Sequence, residues 1–210
     1  MRVELFQKRV EDIDADALLV PVDGPLKVLL GGGALSGIKA SLLSQRIEIQ
    51  DEGETLRELN RELTGFREEF ERELPTRIKA GSAVVVDGIA RWRHLVLADC
   101  LRHNQNDRVF TPEEHAAVAG AGVHAAVLAA ENAGIQTLLI TPIGTSTRME
   151  MDRSIATIVR GLAARSSARI TIRWSFIDPP PKFPDAPSAA AASAAARAAC
   201  VAQHLDVESP

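Results

Sequence analysis

Asp16-Ala17-Leu18-Leu19-Val20-Pro21-Val22-Asp23-Gly24, followed seven residues later by Gly31-Gly32-Gly33-Ala34-Leu35-Ser36-Gly37, decides the fold of this 210-residue chain. An apolar run of strand length delivers a glycine-rich loop to one place. Three successive glycines have no side chains to pack and are costly to order, so they serve where the backbone takes unusual dihedrals or approaches a neighbour closely. A bound ligand is one such neighbour.

Outward from that stretch, further β-rich runs lie at Val3 to Phe6, Ala83 to Val86, Leu95 to Ala98, Thr137 to Thr141 and Ile170 to Phe176. Helical patterns separate several of them. Leu56, Leu59, Leu63, Phe66, Phe70 and Leu74 recur every three or four residues in a charged background and predict an amphipathic helix over residues 52–74. Its charged positions read as a solvated face. Thr111-Pro112-Glu113-Glu114 combines an N-cap hydroxyl, a first-turn proline and a reach-back carboxylate, so a second helix starts there and stops at Gly134. Ile155, Ile158, Val159 and Leu162 mark a third. Strands alternating with helices predict a layered α/β domain with a mixed or mostly parallel sheet over residues 1–177. From residue 178 the composition shifts to a proline-rich linker and then to alanine and serine, predicting a disordered or partly helical tail over 178–210 with too little apolar bulk for a core of its own.

With 46% hydrophobic and 25% charged residues, the composition is that of a globular protein, and no apolar run reaches the length of a membrane span. The first residues read as a strand and not as a leader, so a cytoplasmic location is the expectation. A net charge of −4 gives no global case for nucleic-acid binding. Cys100 and Cys200 are read as free thiols, and the dispersed histidines show no metal-ligand spacing. No metal and no cofactor are expected.

In an open α/β sheet, ligands sit at the carboxyl ends of the strands, where loops feed helix N-termini. Two loops meet that description: Asp23 to Gly37, and Thr141-Pro142-Ile143-Gly144-Thr145-Ser146-Thr147-Arg148. Both offer backbone N–H groups to a phosphate, which a helix N-terminus holds without any lysine. The hydroxyls of Thr145, Ser146 and Thr147 add donors, and Arg148 adds charge. Each feature has a plain structural reading as well. Thr147-Arg148-Met149-Glu150 also fits a capping box, the triple glycine also fits a loose loop, and His103-Asn104-Gln105-Asn106-Asp107 fits a solvated one. The glycine pattern is neither a Walker A loop nor a dinucleotide fingerprint.

These residues together resemble the macro domain, the α/β/α module that binds ADP-ribose and related nucleotides, over residues 1–177. A second, weaker resemblance is to the non-catalytic amino-terminal domain of leucine aminopeptidases, whose catalytic partner domain has no counterpart in this sequence. The macro resemblance implies a three-layer fold with a mixed central sheet. It implies phosphate approach at Gly31, Gly32 and Gly33, with Ala34 in place of a fourth glycine and Gly37 retained. Asp23 falls at the end of the family's Asn-Ala-Ala-Asn segment, as a ribose partner. Asp12, before Ile13, falls on the family's Asp-Ile beside the adenine, although a solvated loop residue is its alternative reading. Ser36 stands where hydrolytic members carry an aspartate, which argues for binding over turnover.

Three functions follow as expectations. The first is a binding module for ADP-ribose or a related nucleotide diphosphate, free or on a modified macromolecule. The second is an ADP-ribosyl hydrolase with Asp23 as its carboxylate. The third is an interaction scaffold that meets a protein partner through the charged helix or the tail.

Overall fold

The structure, a computed structural model, describes residues 1–23, 27–28, 81–87, 91–101, 110–144, 149–179 and 185–208. The helix expected over 52–74 lies outside the described residues. Among the described residues, eight strands form one mixed sheet: β1 (Arg2–Phe6), β2 (Ala17–Asp23), β3 (Lys27–Val28), β4 (Ala83–Asp87), β5 (His94–Leu101), β6 (Thr137–Ile140), β7 (Thr171–Ser175) and β8 (Asp206–Glu208). The order is β4-β5-β2-β6-β7-β1-β8, with β3 pairing beside β2. Strands β5 to β8 along this order are parallel, whereas β4 and β3 run antiparallel to β5 and β2.

Parallel strands are buried on both faces, which is why β2 reads as a nearly continuous apolar run. Val3, Leu19, Val96, Ala98, Leu138, Ile140, Ile172 and Trp174 share one core with the helices. The alternate positions Leu18, Val20, Val22, Leu95, Leu97 and Leu139 point to the other face, and none is more than 1% exposed. That second face is therefore covered too.

Three helices cover the first face. Helix α1 (Pro112–Asn132) lies on β5 and β4, α2 (Met151–Ala163) packs beside α1, and α3 (Ala189–Ala202) packs on α2, β1 and β8. The expected start of α1 is present as a reciprocal capping box: Glu114 N–H donates to Thr111 Oγ1 at 3.2 Å, and Thr111 N–H donates to Glu114 Oε2 at 2.8 Å. Gly134, at φ +72°, closes the other end.

The segment from 178 onward differs from the separate tail that its composition predicted. Its helix is there, but Ala189, Ala192, Ala196, Cys200 and Leu205 are buried in the same core as the sheet. Strand β8 then pairs with β1, placing Asp206 beside Arg2. Alanine has little bulk, yet against a flat neighbour it permits close approach, and the shared core supplies the bulk that the segment lacks. Asp178 Oδ1 accepts the Ala189 N–H at 2.8 Å and ties the start of α3 to the end of β7. Burial pushes the Cys200 thiol up to about 11 against the smaller opposing effect of Arg197. Cys200 is accordingly expected to stay unreactive towards a thiol reagent at pH 8 in the native protein and to react on denaturation. Equal rates in the two states would show that α3 opens readily.

Two polar devices fix the frame. Asp16 Oδ2 accepts from Thr137 N–H at 3.0 Å, from Thr137 Oγ1 at 2.9 Å and from Gln136 N–H at 3.3 Å, while Asp16 N–H donates to Thr137 Oγ1 at 2.8 Å. The starts of β2 and β6 are thus joined side by side. Asp16→Ala is expected to lower unfolding free energy by about 1–3 kcal/mol in a urea titration, because partly buried donors lose their acceptor.

In the last turn of α1, Glu131 pairs with the Arg165 guanidinium and accepts the Arg169 N–H at 3.3 Å. The Arg165 hydrogen bond is the larger cause, and the Arg169 bond the next, of a Glu131 pKa below its usual value. A carboxylate whose folded pKa is depressed contributes stability above its unfolded pKa, and that contribution disappears as pH falls through the lower folded value. The stability difference between wild type and Glu131→Gln should therefore be constant above ~pH 5 and shrink towards zero in stronger acid. A difference that does not change with pH would remove the pair from the acid response.

Candidate functional site

The carboxyl ends of β5, β2 and β6 lie together, and the β5-α1-β6 crossover straddles β2. This is the arrangement that opens a crevice in α/β sheets. At its floor the β2–β5 register slips: Val22 faces Asp99, but Asp23 faces Leu101. Bulges of this kind redirect a strand end and collect beside functional sites. Asp99 is fully buried in that region, and its Oδ2 accepts the Gly81 N–H at 2.7 Å.

From β6 the chain runs through Thr141, Pro142 and Ile143 to Gly144, whose φ of +84° is a conformation that suits glycine. A Cβ at Gly144 would also lie 3.0 Å from Met149 Cε. Met149 N–H donates to Gly144 O at 3.0 Å. Ser154, 1% exposed, donates from Oγ to Ile143 O at 2.7 Å and accepts the Ile143 N–H at 3.0 Å. The turn is thereby anchored to the first turns of α2. Ser154 escaped sequence reasoning, although a hydroxyl next to Ile155 in an apolar stripe was a visible signal.

All three helices start at this end of the sheet, and their first turns differ; that of α3 is capped by Ser188 Oγ, which accepts the Ala191 N–H at 3.2 Å. The first turn of α1 is closed by Thr111 and Glu114, with Pro112 removing one donor. Helix α2 begins at Met151 after Glu150, in place of a box built on Thr147, and among the described residues no side chain caps it. The first turn of a helix carries N–H groups and a partial positive charge of the kind that suits an anion.

Asp12 closes a 3-10 turn, Val10–Asp12, with Val10 and Ile13 buried on either side of an exposed carboxylate. Arg91 donates to Glu11 O and to the Asp14 carboxylate. Arg173 donates to Asp14 O and, at 3.0 Å, to Glu4 Oε2. Two guanidiniums thus hold the segment that carries Asp12, and neither was singled out from sequence. Ile177, 55% exposed, follows β7, and Phe176 N–H bonds to Phe6 O at 2.8 Å.

The backbone of Asp23 pairs with Lys27 and Leu101. Gly31, Gly32, Gly33, Ala34, Ser36, Gly37, Thr145, Ser146, Thr147 and the polar run from His103 lie outside the described residues. Of the expected site, then, the structure places the β2 end, Gly144 with the start of α2, and Asp12. Among the described residues no helix is long and apolar enough to cross a membrane.

No protein-family model matches the chain, and no curated protein matches it in sequence. Solved structures do resemble it. The Oceanobacillus iheyensis macrodomain with ADP superimposes at a TM-score of 0.59 and 11% identity, covering 94% of this chain and 89% of that one. A mutant of the same macrodomain with ADPR gives 0.54 at 11% identity, covering 83% of each chain. Alphavirus P23pro-zbd gives 0.56 at 11% identity over 98% of this chain, which spans only 25% of that larger one. At such identities the likeness is one of fold.

Proposed function

We propose that this chain, whose fold is that of a macrodomain, binds ADP-ribose or a related nucleotide diphosphate at the carboxyl ends of β2, β5 and β6. The observation that carries the reading is the first turn of α2, which no side chain caps among the described residues, behind the Gly144 turn and beside an α1 whose first turn is closed. An anion seat of backbone N–H groups suits a diphosphate, which needs several donors at short range and no metal. Gly144, Thr145, Ser146 and Thr147 form one side of this seat, and Gly31, Gly32 and Gly33 with Ala34, Ser36 and Gly37 form the other. Asp23 accepts from a ribose hydroxyl, and Asp12 accepts from the exocyclic amine of the base. Similar macrodomains solved with ADP and with ADPR support this class of ligand. Ser36 carries no charge to activate a water, so the reading is binding without turnover.

Calorimetry on the full chain tests this, because residues 189–205 contribute to the core. ADP-ribose and ADP should both release or absorb heat on binding, and Gly32→Glu should weaken both by at least ~10-fold through charge repulsion at the phosphates. No binding at millimolar ligand would remove the proposal. Unchanged affinity in the variant would place the phosphates elsewhere.

A further inference from the structure

The helical layer carries a second concavity, which begins at the second turn of α1 and runs along the later half of α2. Gly161 brings the helices together, since a Cβ there would lie 2.8 Å from Gly120 O and 2.9 Å from Val123 Cβ. Above this contact is an open groove of about 310 Å³. Its lining is mostly alanine and glycine, with Ala117, Gly120, Ala121 and His124 on one face of α1. From α2 it receives Thr157 and Arg160.

The polar content of this groove is unusual. Thr157 is 1% exposed, and its Oγ1 has no hydrogen-bond partner. His124 Nδ1 is likewise buried and unpartnered. Buried polar atoms are nearly always paired, so two orphans in the lining of one groove point to a missing polar group. The charge is one-sided. His124 and Arg160 are its only ionisable lining residues, and Arg160 Nε rests on Ala156 O at 3.4 Å with no carboxylate partner among the described residues. The nearby acids are committed elsewhere, Glu113 to Arg153 and Glu131 to Arg165.

We propose that the groove between α1 and α2 docks an acidic peptide segment of a partner protein, with a carboxylate on Arg160 and His124 and an adjoining apolar side chain over the alanine and glycine floor. A guanidinium fork takes a carboxylate through two parallel N–H bonds. Small floor residues let the incoming backbone come close, and a single guanidinium beside an imidazole over an apolar floor suits a peptide better than a nucleic acid, which needs many phosphate contacts.

Nuclear magnetic resonance of the full ¹⁵N-labelled chain tests it with two defined probes, acetyl-Leu-Glu-Glu-Leu-amide and acetyl-Leu-Lys-Lys-Leu-amide. The acidic peptide should shift the Gly120 and Gly161 amides at millimolar concentration, and the basic peptide should not. Arg160→Gln, a change at an exposed position that keeps helix propensity, should weaken the response at least ~10-fold. Ala117→Leu, which fills one wall from an exposed position, should do the same. Silent amides with the acidic peptide, or equal shifts from both peptides, would overturn the proposal. So would shifts produced by raising protein concentration alone, which would assign the groove to a second copy of the chain.

Discussion

Removing residues 180–210 is expected to abolish cooperative folding, leaving a chain with no sigmoidal urea transition and strong binding of a hydrophobic dye. The deleted part supplies Ala189, Ala192, Ala196, Cys200 and Leu205 to the core and covers β1 and the outer side of α2. At ~0.8 kcal/mol for each methyl-sized group and about 1.5–3 kcal/mol for a leucine, its own buried atoms contribute several kcal/mol, before the surfaces that they uncover are counted. That is comparable with the about 5–15 kcal/mol net stability of a whole domain. A pair of point variants separates packing from length. Ala196→Asp places a charge at a position with 0% exposure and should unfold the protein, whereas Ala194→Asp, on the exposed side of the same helix, should change stability by no more than ~0.5 kcal/mol. A truncated chain that melts normally would make the segment an appendage after all.

Gly122→Ala should be as damaging as a large core truncation, although it adds one methyl group. Its Cβ would sit 2.4 Å from Asp99 O and 2.5 Å from Cys100 Sγ, and the backbone carbonyl has no rotamer through which to retreat. Helix α1 would have to lift from β5, so a loss of about 3 kcal/mol or more is expected in urea titrations. Because Asp99 borders the bulge at the end of β2, nucleotide binding should fall as well. Gly120→Ala provides the contrast two residues away, where the nearest atoms to a new Cβ are 3.6 Å distant. There the ordinary helix preference for alanine should prevail and give up to ~1 kcal/mol of added stability. The opposite signs follow only if α1 faces β5 through Gly122. Two equal effects would show a different helix rotation.

Much of this architecture was legible in the sequence, and the reasons are local. Thr111, Pro112, Glu114 and Gly134 announced both ends of α1, because capping chemistry depends on neighbours a few positions apart. Strand β2 was legible because burial on both faces requires an unbroken apolar run. The start of α2 was less so: Thr147 and Glu150 mimic a box, but the anchor that decides the turn is Ser154, which reaches back to Ile143. Arg91 and Arg173 were invisible, since their hold on the Glu11–Asp14 segment joins residues that are 77 to 159 positions apart. The packing of α3 was misread because alanine carries little hydrophobic signal. The buried positions 189, 192, 196 and 200 nevertheless recur with helical spacing, and that periodicity was the available clue.

The place of β1 between β7 and β8 bears on how the protein is made. Arg2 meets Glu208, 206 positions away, and no other strand pairs with β1 in the sheet order. At about 5–20 residues per second, a ribosome needs on the order of 10–40 s to deliver those neighbours. Until β7 is made, which is most of that interval, Val3 and Leu5, which end within the core, have no strand to join. Strand β1 is thus made long before either of its neighbours, and its place in the sheet is filled late in synthesis.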